Sequence, residues 1–345
     1  GNEYASDIVN AWADFDRNDQ FEESEHIMNS EGESPHAADV PAGLLYRIYR
    51  YSPPDPGEGG AMPARLPLIA VSVLGTTVLQ RDGLEVALPA AKMRALLAVL
   101  TLERGHDVSV DRIVDALWGL DPPRSVHNTL QSYVVALRHA LDPGRAARTP
   151  SGVLVTTGAA YRLAIPANAL DAERLVAATE DAAALVAQLP DPWLPLLDRE
   201  LRPEASEVVQ RLRILLHSWR GEPYADLGDL PAAVAERARL EELRTAALES
   251  GLTLGLALGT IPISLADLAR VCAERPYNER LAALRALALA RAARQGEALG
   301  VLTALRTRLI DELGIEPVAE LGDVYLAILR SDPAVHAHPP GWLRR

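Results

Sequence analysis

Apolar and polar positions change their spacing twice along this chain, and the changes divide it. Residues 1–64 show little sustained periodicity. They are rich in Asp, Glu, Asn, Ser and Gly and carry PPDPGEGG after Ser52, so an acidic, disordered N-terminal extension is expected. An aromatic run from Leu44 to Tyr51 is too isolated to be expected to fold. Met62 is a candidate natural start. From Leu68 the spacing becomes extended: LIAVSVLG, TTVLQ and LEVAL follow one another, broken at Gly75 and at Asp82-Gly83, a strong hairpin pair. A small antiparallel sheet is expected there.

Helical spacing then takes over. Met93, Leu96, Leu97, Leu100 and Leu102 fall on one face of a helix that Gly105 terminates. Ser109 is placed to cap a second helix, Val110 to Trp118, with Ile113, Val114, Leu117 and Trp118 turned inward. Asp121-Pro122-Pro123 enforces a turn. In the third helix, Val126, Leu130, Tyr133, Val134, Leu137 and Leu141 lie on one arc facing a core. VLVTT and YRLAI around Gly158 then predict a hairpin. Three short strands, three helices and a hairpin make a winged helix-turn-helix over residues 65–166, with the third helix in the major groove and the second bracing it.

At about 100° per residue, the outer arc of the third helix carries Arg124, Asn128, Gln131, Ser132, Val135, Arg138 and His139. Arg pairs with guanine and Asn or Gln with adenine, and an apolar Val suits the thymine methyl. A solvated helix face shows polar residues too. The position between a bracing helix and a wing is what turns these toward DNA. Arg112, Arg148 and Arg162 are expected on phosphates, joined by Arg124 and Arg138. Five such contacts give a salt-dependent but modest affinity for one copy, so a homodimer or tandem binding on double-stranded DNA is expected.

After Pro166 the strands stop, and residues 167–333 consist of helix upon helix, followed by a loose tail over 334–345. Ala286, Leu289, Ala298, Leu302 and Leu305 alternate small and large as in a tetratricopeptide-like helical pair, although Leu or Ala fills its aromatic positions. Stacked pairs of this kind build concave surfaces for peptides or proteins.

Charge sharpens the division. The net charge of the 345 residues is −13, but its distribution is uneven. Residues 1–64 carry 3 basic and 13 acidic side chains, residues 65–166 carry 11 and 8, and residues 167–345 carry 20 and 26. Only the winged-helix segment is net positive. Lys92 is the one lysine, and Ala, Arg, Gly and Pro abound, as in chains from high-G+C bacteria. Cys272, the only cysteine, excludes an intramolecular disulfide and suggests an inert core thiol. His336 and His338 are too sparse for a metal site. No P-loop, dinucleotide fingerprint, nucleophile elbow or H-E-x-x-H occurs. Neither an enzyme nor a cofactor is therefore expected. With no basic, apolar leader and no apolar run long enough to cross a bilayer, a cytoplasmic protein without membrane contact is expected.

Several blocks resemble the Streptomyces antibiotic regulatory protein family: VSVLG, the stretch from Lys92 to Leu141, AAYRL, RLEELRTAALE, and DELGIEPVAEL followed by AILRSDP. They agree in order and spacing over residues 66–333. The resemblance implies an OmpR-like winged helix-turn-helix (α+β), followed by an all-α, tetratricopeptide-like bacterial transcriptional activation domain. It implies an activator of antibiotic or other secondary-metabolite gene clusters. Such proteins bind direct repeats near the promoter −35 element and recruit RNA polymerase with its principal sigma factor. Larger members add an ATPase domain and sensor repeats, so this chain is expected to be of the small stand-alone type. Two departures stand out. The family's basic pair late in the reading helix is Arg138-His139 here, and the segment DPGRAARTPSGVLVTT before the wing is longer than usual. Two other readings stay open: a helical-repeat interaction protein whose winged helix serves protein contacts, and a regulator whose helical domain binds a metabolite.

Overall fold

A computed structural model describes residues 68–144, 149–191 and 198–336 of the chain, all within one compact unit, Pro67–Arg345. The expected extension over 1–64 lies outside the described residues, and so do Arg148 and the end of the tail with His338.

The chain starts with an antiparallel sheet in the order β1-β2-β3: β1 (Ile69–Ser72), β2 (Val78–Arg81) and β3 (Leu84–Val86). Ile69 is opposite Arg81 and Leu79 opposite Val86. Asp82 and Gly83 both have positive φ, 51° and 82°, as the two-residue hairpin turn requires. Helix α1 (Ala91–Leu102) follows, buried along Met93, Leu96, Leu97 and Leu100, and it ends where Gly105 takes a φ of 80°. Each such buried side chain contributes about 1.5–3 kcal/mol relative to exposure. Ser109 accepts the backbone N–H of Arg112 at 3.2 Å and caps α2 (Val110–Trp118). Helix α3 (Val126–Leu141) comes next. The second sheet, in the order β4-β6-β5, joins β5 (Leu154–Thr157) and β6 (Ala160–Leu163) as the wing and adds β4 (Val108–Ser109) ahead of α2. The two-residue β4 has no periodicity of its own; it is a strand because Val108 and Ser109 pair with Tyr161 and Ala160.

Helices α4 (Asp171–Val186), α5 (Arg202–His217) and α6 (Pro231–Leu258) pack on one another. Their inner faces and those of the winged helix share a single apolar core, running from Ile69 through Leu130 and Leu175 to Leu240 and Ala257. A second core joins the last turns of α6 to α7 (Leu265–Glu274), α8 (Glu279–Arg291), α9 (Gln295–Arg308) and α10 (Ala319–Leu329). Ala286, Leu289, Ala298, Leu302 and Leu305 all lie within it, interlocking α8 and α9. The 28-residue α6 serves both cores. Leu240 and Ala247 face the first, Leu248 and Leu252 the second, and so its last turns are apolar all round. A side chain at Gly255 would come within 2.6 Å of Pro262, which explains glycine in a helix there.

The loop from Val73 to Thr77 between β1 and β2 is gripped by polar groups from the helical segments. Asp171, fully buried at the start of α4, accepts the N–H groups of Val73 (2.8 Å), Leu74 (3.3 Å) and Ala172 (2.9 Å). Asp226 accepts Thr77 N–H at 2.6 Å and Arg94 Nε at 2.9 Å. From the segment between α5 and α6, the N–H groups of Arg220 and Tyr224 donate to the carbonyls of Leu74 and Val73, both at 2.8 Å. Arg104, just beyond α1, bridges Glu173 on α4 and Glu236 on α6, each at 2.7 Å. Arg239 adds two bonds to Glu236, at 2.9 and 2.7 Å. Burial opposes the ionisation of Glu236, but the hydrogen bonds and charges of Arg239 and Arg104 outweigh it and hold its carboxyl below the usual range. At Asp171 the balance reverses: burial raises its pKa despite the three N–H donors.

Candidate nucleic-acid interface

Helix α3 is amphipathic, which fixes what it can present. Val126, Leu130, Val134, Leu137 and Leu141 are buried, and Tyr133 lies half-buried against Trp118 of α2. The two rings stack with centroids 6.4 Å apart and planes 12° from parallel. Lys92 of α1 places Nζ 5.7 Å from the Trp118 centroid and donates to the carbonyl of Leu117, tying α1 to the end of α2. At the C-terminal end of α3, Arg81 of β2 donates to the carbonyl of Ala140 at 2.5 Å. The helix is therefore held by neighbours at its middle and at its C-terminal end.

The opposite face is open. Asn128, Gln131, Ser132, Val135 and His139 are exposed on it, Val135 to 64%, whereas Arg124, expected on this arc, is exposed in the turn that precedes the helix. The hydroxyl of Ser132 donates to the carbonyl of Asn128 at 3.0 Å, leaving its oxygen as an acceptor. His127, one turn before Gln131, is exposed on the same arc. The helical period that selected Gln131 would have selected His127 as well.

Arg138 is turned toward the wing. Its Nε and one terminal nitrogen donate to the carbonyl of Leu154 on β5, at 3.1 and 3.0 Å, and the same nitrogen reaches Oγ1 of Thr156 at 2.6 Å. Its guanidinium carbon sits 6.0 Å from the Tyr161 ring centre on β6. Arg138 thus sets the angle between α3 and the wing hairpin, whose tip, Thr157-Gly158-Ala159, is exposed and uncharged, with Gly158 at φ 59°. Among the residues expected on phosphates, Arg112 is exposed and pairs with Glu103 at 2.5 Å. Arg162 is half-exposed, with Asp107 3.8 Å away. Arg148, as noted, lies outside the described residues. Exposed pairs of this kind are weak and readily exchanged for another anion.

Other chemistry is sparse among the described residues. No cluster of three or more His, Cys, Asp or Glu side chains could hold a metal, and no helix is long and apolar enough to cross a membrane. Cys272 is half-buried, its thiol donating to Leu281 O at 3.6 Å, and burial pushes its pKa up to about 11. A thiol held protonated in this way is a poor nucleophile. A cleft of about 720 Å³ opens beside the gripped loop and is lined by Trp219, Arg220, Arg237, Glu241, Arg244 and Arg270 among others. Arg244 lies over the Trp219 ring at 4.9 Å.

Residues 83–163 match the family model for the C-terminal domain of transcriptional regulatory proteins, and residues 198–329 match that for the bacterial transcriptional activator domain. The chain is 32% identical over 276 residues to the regulatory protein DnrI of Streptomyces peucetius, covering 78% of this chain and 95% of that one. It is 34% identical over 267 residues to the regulatory protein AfsR of Streptomyces coelicolor, covering 76% of this chain but only 24% of the much longer relative. Among solved structures it is similar to Mycobacterium tuberculosis EmbR in complex with a low-affinity phosphopeptide. That likeness has a TM-score of 0.61 at 30% identity, and covers 79% of this chain and 68% of the other.

Proposed function

The chain belongs to the Streptomyces antibiotic regulatory protein family of transcriptional activators, and on that premise we propose that it switches on a secondary-metabolite gene cluster by gripping direct repeats near the promoter −35 element. In this reading Arg124, Asn128, Gln131, Ser132, Val135 and His139 face base edges in the major groove. Arg112 and Arg162 exchange their surface carboxylates for phosphates, and Arg148 joins them. Arg138 acts mainly as a positioning residue, holding the wing at the angle that lets both elements engage one site. Two copies occupy adjacent repeats in the cytoplasm, and the helical domain recruits RNA polymerase with its principal sigma factor.

The observation that carries the reading is the exposed polar arc of α3, a helix held at its middle and C-terminal end and flanked by the wing while the side chains of the arc face solvent. A duplex supplies the partners that the protein does not. Footprinting on the region upstream of the chain's own gene neighbourhood, coupled to run-off transcription with purified polymerase, tests it. Protection of two direct repeats with stimulated transcript is the expected result. Binding that ignores sequence, or protection without stimulation, contradicts the proposal.

The cleft under Trp219 favours one variant, in which a metabolite acts on the helical domain next to the gripped loop. A ligand at a hundred times its dissociation constant would add about 2.7 kcal/mol to stability. A thermal-shift screen against pathway products would detect that gain.

A further inference from the structure

A second exposed surface lies at the far end of the helical domain, where the fold leaves aliphatic side chains in water. Beyond α9 the chain forms a single wider helical turn, Leu309–Leu313, closed by Gly314 at φ 68°. The turn is held by its backbone: Gly314 N–H donates to Ile310 O at 3.0 Å and Ile315 N–H to Leu309 O at 3.2 Å. The following segment is fastened as well. Glu316 pairs with Arg306 at 3.2 Å, and Val318 N–H donates to Oε2 of Glu279 at 2.8 Å. The hydroxyl of Tyr277 donates to Glu312 at 2.6 Å.

Despite this anchoring, the six residues from Asp311 to Glu316 are all exposed. Ile310, Leu313, Ile315 and Val318 show 38, 48, 50 and 43% of their surface to solvent. Single exposed aliphatics are ordinary, but four within nine residues on a hydrogen-bonded lip are a concentrated apolar patch. The surround is acidic. Residues 306–329 contain Asp311, Glu312, Glu316, Glu320 and Asp323 against two basic side chains, Arg306 and Arg308, which pair with Glu316 and Glu312. Glu312 and Glu316 are engaged within the protein, whereas Asp311, Glu320 and Asp323 are exposed.

We propose that this lip docks a basic amphipathic helix of another protein. The aliphatic face of that helix would sit on Ile310, Leu313, Ile315 and Val318, and its Lys and Arg rim would meet Asp311, Glu320 and Asp323. Charge selects this occupant: nucleic acid would meet like charge, and so would a second copy docking face to face through the same surface. The inference rests on the activator reading for the identity of the probe, RNA polymerase holoenzyme, and its test separates the two.

Binding of the full chain to immobilised holoenzyme is measured without DNA, for the wild type, for Leu313→Ser/Ile315→Ser, and for Asp311→Arg/Glu320→Arg/Asp323→Arg. All the substituted positions are exposed, so folding should survive, as a thermal melt and an unchanged promoter gel shift would verify. Salt-sensitive wild-type binding is expected, weakened about tenfold or more by either set of changes. The inference is overturned if the wild type does not bind holoenzyme, if both variants bind like it, or if the wild type self-associates through this face. Failure of the wild type to stimulate transcription, with holoenzyme binding intact and lost in the variants, would instead overturn the activator reading.

Discussion

The gripped loop between β1 and β2 and the outer face of α3 both display polar groups, but their hydrogen bonds end in different places. In the loop, the N–H groups of Val73, Leu74 and Thr77 and the carbonyls of Val73 and Leu74 all find partners within the chain. On α3, the side chains of Asn128, Gln131 and His139 are exposed to solvent, as is Arg124 in the turn before it. Buried polar groups must be satisfied or they cost free energy, so the loop's partners are structural. Exposed groups on a helix fixed by its neighbours cost nothing in water and are free to exchange it for bases. The loop's groups are backbone amides and carbonyls and those of α3 are side chains, and accessibility divides stability from recognition.

The most forceful way to break this contrast is Asp171→Ala. It strands the N–H groups of Val73 and Leu74 in a buried site and should cost about 2–5 kcal/mol of stability, measured by chemical denaturation. The base preference of the folded fraction should be unchanged. A stability loss below about 0.5 kcal/mol would show the grip to be incidental. Gln131→Ala should do the opposite, leaving stability within about 0.5 kcal/mol while costing roughly 1–3 kcal/mol of specific binding. Equal effects on cognate and random DNA would remove Gln131 from base reading.

Arg138→Ala tests the residue that belongs to both regions. Losing its bonds to Leu154 and Thr156 should weaken binding by about 1 kcal/mol on any sequence, because the wing is released and no base contact is lost. Loss at one base position only, in a gel shift against single-base variants, would make it a direct reader. The smallest expected effect is one of pH. The lowered pKa of Glu236 means that its contribution is complete above the ordinary glutamate range and is lost as pH falls through and below that range. The raised pKa of Asp171 works in the opposite sense: its contribution is complete below the ordinary aspartate range and fades as pH rises through the raised value. Arg104→Ala should therefore flatten the acid-side fall in urea midpoint, and an unchanged slope would exclude the Arg104–Glu236 pair as its cause.

Much of the interface was legible because it is local. The period of Leu130, Val134, Leu137 and Leu141 fixed which side of α3 is outward, the cap at Ser109 placed α2, and Gly158 placed the hairpin tip. The same period, applied without omission, would have added His127. Long-range polar partnerships left no local trace. Asp171 and Asp226 meet residues 98 and 149 positions away, and nothing in a stretch such as NALDAERL marks its aspartate as a loop clamp. Nor does periodicity tell where a long side chain ends. Arg138 lies on the outer arc by position, and only the placement of β5 turns its guanidinium to the wing.

The central claim is that the accessible arc of α3 carries sequence preference and the satisfied grip does not. Selection of binding sites from randomised DNA, run in parallel on the wild type, on Asn128→Ala/Gln131→Ala and on Asp171→Asn, tests this most directly. The account predicts a shared motif for the wild type and Asp171→Asn, with one or two positions of that motif losing preference in the double variant. A double variant that selects the wild-type motif intact would contradict it.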